Sequence, residues 1–332
     1  MIITRTPFRI SFFGGGTDYP GWYKGHGGVV LSTTFNKYCY ISCRYLPPFF
    51  DYKNLIRYRI REETQSIDEI KHPAVRECLR FMGIDRGVEI VHTSDVPARS
   101  GIGSSSSFTV GLLNALYALK GKIITKRQLA SDAIHVEQKL IKENVGSQDQ
   151  VATTFGGFNK IEFGGEEEFY VYPITIQQEK IDILQSHLLL FFTGFSRNAS
   201  NIAVEQIKQL NNKISELSAM KQMVGEAISI LDRDSNDLTD FGKLLHESWI
   251  IKKNLTSLIT NGRINEIYEV SIKAGALGGK LLGAGGGGFI LLFAKPEYHN
   301  HIKEKLKNLI YVPLGFEKLG SQVVLYSTQD FY

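Results

Sequence analysis

The chain has 332 residues, 43% of them hydrophobic, and 38 Lys and Arg against 34 Asp and Glu give it a formal charge of +4. That length exceeds the usual span of one hydrophobic core, so two domains are expected, and so small a basic excess excludes general nucleic-acid binding through a charged face. Cys39, Cys43 and Cys78 have no metal-ligand spacing, the opening Met-Ile-Ile-Thr-Arg lacks an apolar signal region, and every apolar run is far short of the ~20 residues that cross a bilayer, so a cytoplasmic protein without a membrane partner is expected.

Residues 1–13, 29–46 and 87–93 cluster or alternate β-branched and aromatic side chains and are predicted strands. The first of them runs through Phe8-Arg9-Ile10-Ser11-Phe12 into Phe13-Gly14-Gly15-Gly16-Thr17-Asp18-Tyr19-Pro20. A second glycine cluster lies in Val96-Pro97-Ala98-Arg99-Ser100-Gly101-Ile102-Gly103, which leads through Ser104 to Ser107 into a helix predicted over 110–119. Glycines at 101 and 103 let a polyanion approach backbone N–H groups, and the positive end of the following helix points at the loop. The four serines add hydroxyls for phosphate or Mg²⁺, although the Lys of a Walker A loop is missing. A plain helix cap needs one Ser and one Gly; this succession of small residues reads better as a phosphate loop.

A second helix is predicted over 129–141, with Leu129, Ala133, Val136 and Leu140 on one face and Glu137 beside that stripe. Glu137 either faces a cleft or a metal, or is a surface charge paired with Lys126 or Lys139. Asn144-Val145-Gly146-Ser147-Gln148-Asp149-Gln150 follows, its glycine ending the helix and the next residues turning back as a loop. The domain boundary is expected near 170–185, before a strand Leu188–Phe192. From Asn198 onward Ala203, Ile207, Leu210, Ile214, Leu217, Val224, Ile228 and Leu231 form a near-heptad series. That series fits a homodimer seam, but Lys221 interrupts it, and one long helix packed on a second through Leu238, Phe241, Leu245, Trp249 and Leu255 is the preferred reading. The third cluster, Gly283-Ala284-Gly285-Gly286-Gly287-Gly288, precedes a strand Phe289–Phe293. Three such clusters mark places where backbone must come close to a ligand or to another segment.

Pro7-Phe8-Arg9 through Asp18-Tyr19, then Pro97 to Ser107, then Lys280 to Phe289 resemble, in this order and spacing, the three motifs of the GHMP kinases, named for galactose, homoserine, mevalonate and phosphomevalonate. The resemblance spans nearly the whole chain. The form Gly-Gly-Gly-Thr-Asp-Tyr-Pro, the run Ser66 to Arg76 and the four serines are similar to the D-glycero-D-manno-heptose 7-phosphate kinases of that superfamily, and fucose kinases share much of the pattern. The resemblance implies an α+β fold of two domains. Residues 1–175 would be like the second domain of ribosomal protein S5 and residues 176–332 ferredoxin-like. It also implies an ATP- and Mg²⁺-dependent kinase of the anomeric hydroxyl of the heptose 7-phosphate, giving the 1,7-bisphosphate for capsule or lipopolysaccharide. Two alternatives stand beside it: another sugar 1-kinase such as a fucokinase, and a catalytically inactive sugar-sensing regulator.

Residue by residue, the resemblance makes Asp149 the base at the acceptor hydroxyl and Arg9 the fixed charge beside it. Pro97, Arg99, Ser100, Gly101, Ile102, Gly103, Ser104, Ser105 and Ser106 would hold ATP, and Ser105 and Glu137 would hold the metal. Gly15, Gly16, Thr17, Asp18, Gly285 and Gly286 would line the sugar site, Gly15 and Gly16 replacing the Glu-His pair of galactokinases and so making room. A substrate phosphate needs a cation; Arg44, Arg99 and Arg197 are the leading candidates, with Lys37 behind them.

Overall fold

The computed structural model describes residues 1–98, 100–164, 168–194 and 199–327, without the side chains of 199 and 200. Its strands are β1 (Ile2–Phe13), β2 (Gly28–Tyr45), β3 (Asn54–Arg57), β4 (Arg61–Thr64), β5 (Val88–Ser94), β6 (Phe158–Phe163), β7 (Phe169–Pro173), β8 (Leu188–Phe192), β9 (Ala276–Leu281), β10 (Phe289–Ala294), β11 (Ile310–Tyr311), β12 (Phe316–Glu317) and β13 (Gln322–Tyr326). Its helices are α1 (Pro20–His26), α2 (Pro73–Phe81), α3 (Ser104–Leu119), α4 (Lys126–His135), α5 (Gln148–Phe155), α6 (Gln178–Ser186), α7 (Ala199–Gln209), α8 (Ile214–Asp232), α9 (Thr239–Lys253), α10 (Gly262–Lys273) and α11 (His299–Lys305). No described helix is long and apolar enough to cross a membrane.

The long strands β1 and β2 pair antiparallel and carry the first sheet, in the order β13-β1-β2-β5-β3-β4, with β6 and β12 branching from β2 and β7 pairing with β6. Near its start β1 alternates buried and half-buried residues; from Thr6 to Phe13 it is buried on both faces, because α3 covers one side and the second half of the chain the other. The middle of α3, Ser106 to Leu116, is buried all round, as expected of a helix at the centre of a domain. The second sheet runs β11-β8-β10-β9, all antiparallel, built on the apolar runs Leu188–Phe192 and Phe289–Ala294.

Two expectations about organisation change. The single long helix breaks: α7 ends at Gln209, a 3₁₀ turn spans Leu210–Asn212, and α8 restarts at Ile214. Most of its apolar series is spent inside the chain: Ala203, Leu210, Leu217, Val224 and Leu231 are core residues, Ile207 and Ile228 are half-buried against that core, and Ile214 alone of the series is exposed. The cut at 175/176 is not clean either, because β12 and β13 return to pair with β2 and β1 of the first sheet. One apolar core also runs through both halves. Phe13 at the end of β1 meets Phe241 of α9 edge to face, with ring centres 5.2 Å apart. That contact holds the first glycine turn against the second half of the chain.

Candidate active site

Arg9 lies on the doubly buried part of β1, with its side chain only 3% exposed. Its guanidinium forks onto Asp149: Nε donates to Oδ1 at 2.8 Å and Nη2 to Oδ2 at 2.9 Å. The remaining Nη1 donates to the Gly101 carbonyl at 2.7 Å. One planar cation therefore fixes β1, the candidate phosphate loop and α5 relative to one another. Asp149 is not in a loop as the sequence suggested; it sits in the first turn of α5, where the helix dipole favours a carboxylate. The Asp149 side chain is 23% exposed, so the pair faces outward on the Asp149 side.

Asp18 is buried beside this pair. Its Oδ1 accepts the Gly16 amide at 2.9 Å, its Oδ2 the Gln148 amide at 3.4 Å, and its carbonyl the Ser147 amide at 2.9 Å. Burial pushes the Asp18 carboxyl up from the usual range; the backbone donors oppose the rise and Asp149 adds to it. Gly146 is required here, since a Cβ on it would stand 1.9 Å from Asp18 Oδ2. A Cβ on Gly15 would make ordinary contacts with Ser11 Oγ at 3.6 Å and Gln148 Nε2 at 3.8 Å, and one on Gly16, whose φ is +107°, would meet Leu217 at 3.4 Å. Thr17 is turned into the protein. It is fully buried, and its hydroxyl bonds the Gly14 and Val29 carbonyls and the Val29 amide.

The phosphate loop ends at Gly103, which begins α3 in a left-handed conformation with φ 78° and provides no side-chain cap for the first turn. Of its serines, Ser107 donates to the Pro7 carbonyl at 3.0 Å, Ser105 is exposed, and Ser106 donates to Glu137 Oε2 at 2.9 Å. The hydroxyl that meets Glu137 is thus Ser106 and not Ser105. Ser100 and Pro97 close the loop through a hydroxyl-to-carbonyl bond of 2.7 Å, and the Ile102 carbonyl accepts the Arg9 amide.

Glu137 is not a surface charge. It is 1% exposed on a π-helical turn, Val136–Leu140, that continues α4. Gln150 of α5 also donates to its Oε2. The Thr109 hydroxyl stands near but donates to the Ser105 carbonyl at 3.2 Å, which leaves Glu137 Oε1 without a hydrogen bond among the described residues. Burial, opposed by these neighbouring hydroxyl and amide donors, pushes the carboxyl up to about 7. A buried carboxylate oxygen with no donor is what a hard cation would satisfy.

The third glycine cluster meets the phosphate loop backbone to backbone. A Cβ on Gly101 would stand 2.5 Å from the Leu282 carbonyl oxygen, and one on Gly283 2.5 Å from the Gly101 Cα. The Gly286 amide donates to the Ile259 carbonyl, and a Cβ on Gly285 would meet the same residue. Gly286 therefore has its N–H spent inside the protein. Behind the loop lie two buried lysines that no motif singled out for a role. Lys280 Nζ donates to the Phe12 carbonyl at 2.7 Å, and Lys252 Nζ to the Gly283 and Leu281 carbonyls at 2.6 and 3.1 Å. Burial lowers both ammonium groups, that of Lys252 to about 7, with Arg9 adding to the fall and Asp18 and Asp149 opposing it. Lys252 was legible as a cation three residues after Trp249 on the apolar face of α9.

Next to Gly16 a small hollow is lined by Tyr19, Gln206, Gln209, Lys213 and Leu255. It adjoins a wider one of about 350 Å³ that shares Gln209 and Leu255 and adds Glu205, Thr256 and Ser257. Gln206 ties the hollow to the third loop, donating to the Ala284 carbonyl at 3.1 Å. Arg44 is far from all of this. It lies ten residues along β2 from Thr34, the partner of Arg9, a path of roughly 33 Å, and it is paired with Glu89. Arg99 and Arg197 lie outside the described residues.

Residues 69–157 match the model of the GHMP kinases N terminal domain and residues 226–311 that of the GHMP kinases C terminal domain. The D-glycero-alpha-D-manno-heptose 7-phosphate kinase of Campylobacter jejuni is 31% identical, over 96% of this chain and 97% of that one. The bifunctional fucokinase/GDP-fucose pyrophosphorylase of Arabidopsis thaliana is 25% identical over 91% of this chain, which spans 30% of that protein. A crystal structure of a D-glycero-D-manno-heptose 1-phosphate kinase from Bacteroides thetaiotaomicron superposes with a TM-score of 0.77 at 24% identity, covering 98% of this chain and all of that one.

Proposed function

The chain belongs to the GHMP kinases, and on that premise we propose that it transfers the γ-phosphoryl group of ATP to the anomeric hydroxyl of D-glycero-D-manno-heptose 7-phosphate, giving the 1,7-bisphosphate. The observation that carries the chemistry is the Arg9 fork on Asp149 and Gly101, which sets a carboxylate against the loop that would hold the phosphates. The acceptor oxygen forms a bond to the γ-phosphorus as the bond to the β–γ bridging oxygen breaks, and ADP leaves. Asp149 takes the hydroxyl proton through the lone pairs that Arg9 does not use, while Asp18 and the Gly15-Gly16 turn hold the ring. Positioning and electrostatics carry most of the rate in such a transfer. Heptose specificity is supported by the identity to the Campylobacter jejuni enzyme, and by the absence of side chains at Gly15 and Gly16. The product would feed nucleotide-activated heptose for capsule or lipopolysaccharide.

Glu137, with Ser106 beside it, would hold Mg²⁺, which when bound neutralises charge on the nucleotide phosphates. Glu137→Gln is expected to raise the Mg²⁺ concentration needed for half-maximal ATP binding; an unchanged requirement contradicts the assignment. The metal-free protein supplies a second readout. Folded Glu137 holds its proton more tightly than the unfolded chain does, so stability falls as pH rises from 4.5 to about 7, by at most on the order of 3 kcal/mol. Melting curves of Glu137→Gln should lose that slope.

The fucokinase reading is favoured by the matches to the fucokinase proteins of Arabidopsis thaliana and Bacteroides fragilis, each 25% identical. ADP release measured with ATP, Mg²⁺ and either heptose 7-phosphate or fucose separates the two: faster turnover of fucose overturns the heptose assignment.

A further inference from the structure

We propose that Lys252 is a positioning residue for phosphoryl transfer, a buried ammonium that clamps the turn entering the third glycine loop and so holds that loop against the phosphate loop. The observations are geometric. Lys252 is 6% exposed, and its Nζ lies 2.6 Å from the Gly283 carbonyl and 3.1 Å from that of Leu281. Gly283 in turn rests on Gly101, whose carbonyl accepts Arg9 Nη1. A single chain of contacts therefore runs from Lys252 through Gly283 and Gly101 to Arg9 and the carboxylate of Asp149.

The alternatives to a cation here are poor. A buried ammonium is costly to desolvate, and replacing it with an apolar side chain of like volume is often neutral or stabilising, so stability is a weak reason for a lysine at this position. The carbonyls of Leu281, at the end of β9, and of Gly283, just beyond it, both accept from one Nζ, and among the described residues no carboxylate within hydrogen-bond reach neutralises it. Leu281 still pairs with Ile290 in the sheet, whereas Gly283 lies beyond the strand where the ladder no longer fixes it. The clamp thus acts on the residue that touches the phosphate loop. Its effect on the reaction is through Gly283 and Gly101, without contact to the reacting atoms.

This inference rests on the kinase reading, so the test has one readout with turnover and one without. In Lys252→Met, kcat is expected to fall at least tenfold while KM for ATP and for the sugar stays within about threefold, and Lys252→Gln, which keeps an N–H donor, is expected to fall less. A kcat within twofold of wild type in folded Lys252→Met overturns the proposal, as does a rise in KM at unchanged kcat. Independently of any sugar, amide hydrogen exchange of residues 283–288 should be at least tenfold faster in whichever of the two variants melts as wild type does. Exchange at the wild-type rate overturns the clamp; fast exchange in a chain inactive on every sugar upholds it and sinks the heptose assignment instead.

Discussion

Asp149→Asn is expected to lower kcat by about 10²- to 10⁴-fold, the usual loss when a general base is removed. The amide keeps one oxygen to accept from Arg9, so the fork is weakened without being abolished, while the group that takes the acceptor proton is gone. Nucleotide binding should survive. The loop from Pro97 to Ser106 is closed by its own Ser100-to-Pro97 bond and by the Arg9 amide on Ile102, neither of which involves Asp149. Steady-state turnover together with nucleotide affinity measured by fluorescence decides the matter. Near-normal kcat removes Asp149 from the chemistry, and a loss of nucleotide affinity as large as the loss of kcat makes the ion pair a structural tie only.

The second large effect concerns the distal phosphate of the substrate. A charge-assisted pair to a phosphate is worth on the order of 1.5 to 3 kcal/mol, roughly 10- to 150-fold in affinity, and more where water is excluded. Neutral heptose or mannose is therefore expected to be used at least tenfold less well than heptose 7-phosphate in kcat/KM. Arg99→Ala or Arg197→Ala should narrow that gap by weakening only the phosphorylated substrate. Arg44→Ala serves as the control, because Arg44 is held by Glu89 far along β2 and should leave the gap unchanged. Equal use of neutral and phosphorylated sugars contradicts the assignment of a sugar phosphate as substrate.

The glycine turns and the strands β1, β2 and β5 were all legible, because each has a local cause: alternation, an apolar run, or a backbone that only glycine allows; α3 instead starts at Ser104, ahead of the predicted 110, with the serines in its first turn. Residues 140 apart in sequence, Arg9 and Asp149, were brought together on paper by motif order alone, and the fork shows the contact that order implied. Three features were not legible, each for a physical reason. The break between α7 and α8 falls at Asn211-Asn212-Lys213, which lacks Gly or Pro, and the apolar spacing continues across it because both helices pack on the same core. The return of β13 to β1 is a pairing over more than 300 residues that no local pattern encodes. The choice of Ser106 over Ser105 depends on which face of α3 meets the π-helical turn at Glu137, and a widened turn shifts that face by one residue.

The most direct measurement is phosphorus NMR of the product formed from heptose 7-phosphate, ATP and Mg²⁺. The predicted spectrum shows, beside ADP, the retained 7-phosphate resonance and one new glycosyl phosphate resonance coupled to the anomeric proton. A chain that consumes ATP yet forms no glycosyl phosphate from heptose 7-phosphate, or that forms one only from a neutral sugar, contradicts the proposed reaction.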